Sequence, residues 1–416
     1  MPMFSPETAG LSSGAVRPWL SLVGLGEDGR AGLSAAALAA VEAAALVVGG
    51  ARHLELIGPV TAQTMAWPSP LGDAFPALLE RRGQPVCVLA SGDPFHYGVG
   101  VQLAALVPAG EITAYPQPSS FALACARLGW AQQDCALASL HGRALERIIP
   151  HLQPGRRVLA LSWDGTTPSR LAELLRARGF GASRLTVLEA LGGPRERISS
   201  VTAQDFALGE IDPLNLVALE LVAAADARVL PLSCGLDNDW FAHDGQLTKA
   251  DIRAITLSAL QPRAGELLWD VGAGSGSIGL EWCLRHPANR AIAFEERSER
   301  VERIAANRLA LGALPVTVVA GPAPSSLSGQ AAPDAVFIGG GIADAGVFEA
   351  AFAALKPGGR LVANVVTLEG EARLAALFRQ HGGSLRRIGL AHLDRVGSMH
   401  GWRSAMPVTQ WRLVKP

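Results

Sequence analysis

Lysine is almost missing from this chain: only residues 249, 356 and 415 are Lys, out of 36 basic residues in 416. Acidic residues number 37, so the net charge is −1. A near-neutral chain carries no electrostatic footprint for nucleic acid or an anionic membrane. The arginine bias suits a polyanionic ligand, because a guanidinium grips carboxylates bidentately; it equally suits a GC-rich genome, which would also explain the abundant alanine. The five cysteines, Cys87, Cys125, Cys135, Cys234 and Cys283, are scattered without paired spacing. That pattern excludes a disulfide or zinc framework and reads as small buried hydrophobes in a reducing cytosol, with no metal expected. Long apolar runs are also lacking. The richest, 35–48, is interrupted by Glu42 and falls short of the ~20 residues a membrane span needs. No signal-peptide pattern opens the chain, so a soluble cytoplasmic protein is expected.

What the chain does have is glycine placed after strands. The stretch Leu267–Trp282 reads as an apolar strand, a turn with Gly272, Gly274 and Gly276, and then a helix. Glycines there let the backbone turn tightly and let a nucleoside approach it, while the amides opening the helix supply partial positive charge. The run Gly274-Ser275-Gly276-Ser277-Ile278-Gly279 fits a dinucleotide fingerprint literally. It begins too far past the strand end for a pyrophosphate turn, and the frame that begins at the strand end, Gly272-x-Gly274-x-x-Ser277, lacks its third glycine. Asp270, just before the turn, favours a cationic, amino-acid-bearing ligand, which points to S-adenosylmethionine. A second apolar run, 291–294, delivers Glu295, placed as a carboxylate that accepts both ribose hydroxyls. Alone, Glu295 reads as a solvated strand end; with the turn and Asp270 it defines a nucleoside-cofactor site.

At this length two domains are expected. Residues 1–17 read as a loose tail, 18–225 as a first α/β domain, 226–246 as a junction where periodicity fails, and 247–416 as a second α/β domain. In the first, strand 19–23 ends in Gly24-Leu25-Gly26, and strand 86–90 ends in Ser91-Gly92-Asp93-Pro94. Polar loops at the carboxyl ends of buried strands are where open α/β sheets bind ligands. Strand 111–115 leads to Ser119 and Ser120, each a helix N-cap or a ligand contact. Beyond Gly129 the pattern restarts as a second lobe, whose strands around Ile198 and Leu216 read as antiparallel. His96, without a second ligand at useful spacing, reads as structural.

In the second domain Thr248-Lys249-Ala250-Asp251 resembles a capped helix start with Thr248 as N-cap. Strand 316–319 is followed by Gly321 and Ala323, and strand 335–338 by Gly339-Gly340-Gly341, leaving room for a substrate beside Gly340. Strand 360–365 carries Asn364 and Thr367 to the same edge. Two closing strands, about 385–392 and 407–414, complete a doubly wound sheet with an antiparallel last pair.

The first half resembles the tetrapyrrole methylase family, through Val23-Gly24-Leu25-Gly26, Ala90-Ser91-Gly92-Asp93-Pro94-Phe95, Ala126-Arg127-Leu128-Gly129-Trp130 and Ser139-Leu140-His141-Gly142-Arg143. The second resembles the Rossmann-type methyltransferase subunits of cobalamin synthesis, through Leu247-Thr248-Lys249, Leu268–Gly276, Phe337–Gly341 and Val366-Thr367-Leu368-Glu369. Their fused order is similar to a precorrin methyltransferase family. The resemblance implies a two-lobed methylase fold followed by a Rossmann-like sheet, and two S-adenosylmethionine sites. The N-terminal site would involve Gly24, Gly26, Gly92, Asp93, Pro94, Ser119 and Ser120. The C-terminal site would involve Thr248, Asp270, Gly272, Gly274, Gly276, Glu295, Gly321 and Ala323. It further implies methylation of a precorrin-6-type tetrapyrrole at two meso carbons, C-5 and C-15, with loss of the ring C acetate as carbon dioxide. By the same analogy the C-terminal domain performs the decarboxylation with one methylation.

No side-chain nucleophile is needed, because an electron-rich meso carbon attacks a sulfonium methyl once aligned. Gly340, Asn364, Thr367 and Arg143 are the substrate-side candidates, and Arg195, Arg197, Arg395 and Arg403 are further cations for substrate carboxylates. Gly321 stands where many related sheets place an adenine-binding carboxylate, so a backbone contact near Gly321 and Ala323 is expected instead. A homo-oligomer is expected. Rival readings are a methyltransferase acting on another substrate such as ribosomal RNA, and a nicotinamide-dependent reductase using the Gly274 frame.

Overall fold

The computed structural model describes residues 18–416; the expected loose tail 1–17 lies outside the described residues. The chain divides into two compact units, one running to Arg143 and resuming at Gly155–Ala227, the other made of Ala144–Pro154 and Arg228–Pro416. The segment Ala144–Pro154 thus joins the second unit although the sequence reading placed it in the first domain. Its 3-10 turn, Leu145–His151, abuts Gly312 so closely that a Cβ there would lie 2.4 Å from the Glu146 carbonyl oxygen. Residues 228–246, most of the expected junction 226–246, also group with the second unit.

The first unit has two lobes. Strands β1 (Leu20–Leu25), β2 (Leu46–Gly49), β3 (Gln63–Ala66), β4 (Val86–Ser91) and β5 (Ile112–Tyr115) form a parallel sheet in the order β3-β2-β4-β1-β5. Side chains alternate between its faces: Leu20, Leu22, Val86 and Val88 enter one core, and Val23, Leu25, Cys87 and Leu89 the other. Burial on both faces explains why the inner strands β2 and β4 are continuous apolar runs. The second lobe orders β6 (Cys135–Ser139), β7 (Arg157–Leu161), β8 (Arg184–Glu189), β9 (Arg197–Thr202) and β10 (Asn215–Glu220) as β6-β7-β10-β8-β9. Only its β6–β7 pairing is parallel, as the pattern around Ile198 and Leu216 foretold.

The second unit is a seven-stranded sheet built from β11 (Leu267–Val271), β12 (Arg290–Glu295), β13 (Val316–Ala320), β14 (Ala335–Ile338), β15 (Arg360–Val365), β16 (Ser384–Ile388) and β19 (Val408–Val414), with β17 (Ala391–Val396) and β18 (Met399–Ser404) as a separate hairpin. The order is β13-β12-β11-β14-β15-β19-β16, parallel through β15 and antiparallel at β19 and β16. The chain reverses its direction of travel across the sheet between β11 and β14, and that is where such sheets open a crevice at their carboxyl edge. Two closing strands were expected; the first ends earlier, at Ile388, because its partner β19 begins opposite it at Val408, and residues 391–404 pair with each other as the hairpin β17–β18 instead. Among the described residues no helix is long and apolar enough to cross a membrane.

Candidate functional site

At the reversal point of the second sheet lies a cavity of about 1260 Å³. Typical ligand pockets span roughly 300–1,000 Å³, so this one has room for more than a nucleoside cofactor. One wall is the turn after β11, where Gly272, Gly274 and Gly276 all have positive φ. Gly272 is pressed by protein, since a Cβ there would lie 2.9 Å from the Gly340 nitrogen. Gly274 is different: the nearest atom to its Cβ position is the Gln246 carbonyl oxygen at 3.7 Å, on the cavity side. That opening is where a ligand can reach the backbone.

Glu295, at the end of β12, lines the same cavity although only 4% of it is exposed. Its Oε2 accepts the Gly274 N–H at 2.8 Å and its Oε1 accepts the Arg297 N–H at 3.1 Å. Each carboxylate oxygen keeps an unused lone pair, the arrangement that receives a ribose diol. Gly321, Pro322 and Ala323 after β13 also line the cavity. These features fit a nucleoside methyl donor. Of the residues present, Glu295 could hold a ribose, Gly274 could let the ligand reach the backbone, and the 321–323 backbone could meet a base.

Asp270 and Gly276 stand behind this wall, outside the cavity lining. Asp270 is 1% exposed, and its Oδ2 accepts the Gly279 N–H at 2.9 Å, bracing the strand against helix Ser277–Arg285. Its Oδ1 is buried with no protein partner. Burial, with a smaller push from the Glu295 charge, raises this carboxyl to about 7. Successive strand side chains alternate between faces, and while Val271 lines the cavity Asp270 braces the turn from behind it.

The opposite rim is the loop 246–251, which leads into helix Ala250–Leu260. Thr248 lines the cavity but does not cap this helix. Lys249 takes the N-cap position without a side-chain bond, and the Ala250 N–H is satisfied by Asn238 Oδ1 at 3.1 Å. Thr248 instead serves through its carbonyl, which accepts from Arg253. Arg253 and Glu281 are both fully buried and paired. Arg253 also donates to the Leu236 carbonyl, and Glu281 accepts the Gly235 and Leu236 N–H groups at 2.7 and 3.0 Å. A buried pair of this kind holds only because its remaining valences are filled, and here they are filled by the stretch read as a junction. Arg300 ties the rim from the other side, donating to Asp244 Oδ2 at 2.9 Å and Gln246 Oε1 at 2.7 Å. The Arg300 guanidinium holds the Asp244 carboxyl well below its ordinary range. Thr248 was legible as a site residue, but Arg253, Glu281, Asp244 and Arg300 were not; an arginine and a glutamate inside helices, at otherwise apolar positions, were the available signal.

A further part of the cavity is bounded by Gly340 after β14, by Asn364 at the end of β15 and Thr367 beyond it, and by Leu390, His392 and Met406 around the base of the hairpin. Thr367 also caps the following helix, its Oγ1 accepting the Gly370 N–H at 3.2 Å.

In the first unit the expected site residues gather at the carboxyl edge of β1 and β4. A Cβ on Gly24 would lie 1.8 Å from the Gly92 carbonyl oxygen, and the Gln117 N–H donates to that same oxygen at 3.0 Å. Gly26 follows on the β1 loop, and Pro94 is buried. Asp93 Oδ1 accepts the Phe95 N–H at 2.8 Å. Ser119 caps helix Ser120–Leu128 through the Ala122 N–H at 3.3 Å, and Ser120, exposed, is its first residue. Arg143 lies over the Tyr97 ring at 5.6 Å. Arg195 and Arg197 are committed to Asp212 with Glu27 and to Glu189, which accounts for them structurally. His96 stacks on Tyr97 and packs on Phe121.

A glycine turn, a ribose-type carboxylate and an oversized crevice on a doubly wound sheet with an antiparallel end define a methyltransferase of the Rossmann-like class, here joined to a second α/β unit. Comparison with known proteins places both. Residues 239–415 match the family model described as precorrin methyltransferase domain, and residues 20–207 match tetrapyrrole (corrin/porphyrin) methylases. The chain is 53% identical over 401 residues to precorrin-6Y C(5,15)-methyltransferase [decarboxylating] of Sinorhizobium sp, covering 96% of this chain and 97% of that one. It is 40% identical to the Mycobacterium tuberculosis protein of the same name, covering 95% and 99%. The crystal structure of the C-terminal domain of precorrin-6Y C5,15-methyltransferase from Rhodobacter capsulatus is 44% identical, with a TM-score of 0.43, covering 45% of this chain and 100% of that one. The chain belongs to the precorrin-6Y C(5,15)-methyltransferase (decarboxylating) family. It is a methyltransferase, and membership implies use of S-adenosylmethionine.

Proposed function

We propose that this protein methylates a precorrin-6-type macrocycle at C-5 and C-15 and removes its ring C acetate as carbon dioxide, using two S-adenosylmethionine sites, one in each unit. The observation that carries the reading is the 1260 Å³ cavity, which joins Gly274 and Glu295 to a second region lined by Gly340 and Asn364. S-Adenosylmethionine supplies an electrophilic methyl on sulfur. What the chain contributes is alignment: Glu295 and the Gly274 backbone fix the donor's nucleoside, and the rim loop 246–251 encloses it. The glycines 339–341 keep the space beside the donor free for a flat macrocycle. Such positioning, with water excluded, is most of what a reactive meso carbon requires. The C-terminal unit is assigned one methylation together with the decarboxylation, in which the conjugated macrocycle is the electron sink. The N-terminal unit is assigned the other methylation through Gly24, Gly26, Gly92, Asp93 and Pro94.

The test uses the full-length protein. Calorimetric titration with S-adenosylhomocysteine should show two sites per chain, and NAD none. With precorrin-6Y and the methyl donor, product mass should show two added methyls and one lost carbon dioxide. Glu295→Ala should yield a product with one methyl fewer and the carboxyl retained. A Glu295→Ala product that has gained one methyl and still lost carbon dioxide would move the decarboxylation out of the C-terminal unit.

A further inference from the structure

Behind Asn364, three side chains stand in one cross-strand row. The sheet register pairs Asn364 of β15 with Gln410 of β19, and Gln410 with Arg386 of β16. Arg386 donates to Gln410 Oε1 through both Nε, at 3.0 Å, and Nη2. Gln410 Nε2 donates to Asn364 Oδ1 at 2.9 Å and to Thr256 Oγ1 at 3.3 Å. Asn364 Nδ2 donates to Thr256 Oγ1 at 2.8 Å, and Thr256 passes its own proton to the Ile252 carbonyl at 2.7 Å. Thr256 is 0% and Gln410 1% exposed, while Asn364 lines the cavity.

Amide orientation is usually ambiguous, because oxygen and nitrogen are near-isosteric. Here it is not. A guanidinium can only donate, so Arg386 forces the Gln410 oxygen toward itself and the Gln410 nitrogen toward Asn364. Asn364 must then turn its oxygen to Gln410 and its nitrogen to Thr256, which leaves one N–H of Asn364 uncommitted. We infer that Arg386 and Gln410 are positioning residues that lock the Asn364 amide so that its free N–H donates to a carboxylate of the macrocycle. The inference rests on the proposed substrate and goes beyond it by naming the contact and what sets its polarity. A polycarboxylate requires donors, and the cations on this cavity are few: Lys249 donates to the Gly245 carbonyl, and Arg300 is paired with Asp244.

Gln410→Glu tests the relay with little change of shape. The introduced carboxylate would still pair with Arg386, but it has only acceptors, so Asn364 must flip to donate to it and present its oxygen to the cavity. Replacing one charge-assisted hydrogen bond by an acceptor facing the substrate carboxylate should raise KM for precorrin-6Y by at least ~10-fold. The S-adenosylhomocysteine affinity of the C-terminal site and the melting profile should stay near wild type. Arg386→Lys, which keeps a pure donor, should restore KM relative to Arg386→Met. If Gln410→Glu bound S-adenosylhomocysteine normally and turned over precorrin-6Y with wild-type KM, the relay would be overturned while the assigned function stood. If the wild-type protein left precorrin-6Y unmethylated, the functional reading would fall, and the inference with it.

Discussion

Gly24, at the end of the first strand of the N-terminal unit, and Gly274, in the turn after the first strand of the C-terminal unit, serve opposite purposes. In the N-terminal unit Gly24 is crushed between neighbouring backbones, with the Gly92 carbonyl 1.8 Å from where a Cβ would be. In the C-terminal unit Gly274 faces open space out to 3.7 Å and borders the large cavity. Both read alike in sequence, as glycine after a buried strand. The difference teaches that a glycine turn marks a close approach without saying whether the approaching partner is protein or ligand.

The harshest test of that contrast is Gly24→Ala. A Cβ cannot coexist with a carbonyl oxygen at that distance, and backbone on both sides leaves nothing soft to move. The N-terminal unit should lose its cooperative transition in calorimetry, while the C-terminal unit's transition persists. A Gly24→Ala protein with both transitions intact would refute the packing role.

Next in size is an opposition in pH dependence. Asp270 is held protonated to about 7 by burial, whereas in the unfolded chain it ionises near its ordinary value. Its contribution to stability is complete below that ordinary value and is lost as pH rises through 7, up to about 4 kcal/mol for a shift of this size. His53 behaves in reverse: burial and the Arg52 charge push its imidazole down to about 4. The folded N-terminal unit resists taking up a proton that the unfolded chain accepts below about 6.5, so it loses stability as pH falls from there toward 4. Between about pH 4.5 and 6.5 the C-terminal transition should therefore rise on acidification while the N-terminal one drops. Asp270→Asn, which keeps an oxygen for the Gly279 N–H, should flatten the C-terminal slope; an unchanged slope would assign it to other groups.

How much of this was visible beforehand follows from the range of the interactions. The glycine turn, Glu295 and the layered α/β order depend on residues close in sequence, and the strand periodicities exposed them. The Asn364–Gln410–Arg386 row depends on the register of antiparallel strands far apart in the chain, which no local pattern encodes. That Asp270 lies behind the cavity lining was not legible, because adjacency to the turn in sequence does not say which way the side chain points. Thr248 was misread as a cap because Asn238, from the expected junction, takes that job. The hairpin β17–β18 did have a local signal, Gly397-Ser398 between alternating segments.

A smaller effect separates the glycines directly. Gly274→Ala puts a methyl where the ligand approaches and strains a residue with φ +61°, a cost of about 1–2 kcal/mol. Affinity for S-adenosylhomocysteine at the C-terminal site should fall by about 10-fold or more, with only a modest drop in melting temperature. Should stability collapse instead, Gly274 would resemble Gly24 and the contrast would be gone.

The smallest effect concerns Ser119, whose hydroxyl accepts the Ala122 N–H at 3.3 Å and also stands among the residues proposed for the N-terminal cofactor site. Ser119→Ala removes the cap and should cost the N-terminal unit about 1 kcal/mol. Ser119→Asp restores a good cap but replaces a neutral hydroxyl by a carboxylate. If capping is all that Ser119 does, Ser119→Asp should recover both melting temperature and S-adenosylhomocysteine binding. If the hydroxyl also meets the ligand, stability returns while N-terminal affinity does not. Only that second outcome makes Ser119 a counterpart of Glu295, a side chain that accepts from nearby backbone N–H groups and is proposed to receive the donor as well.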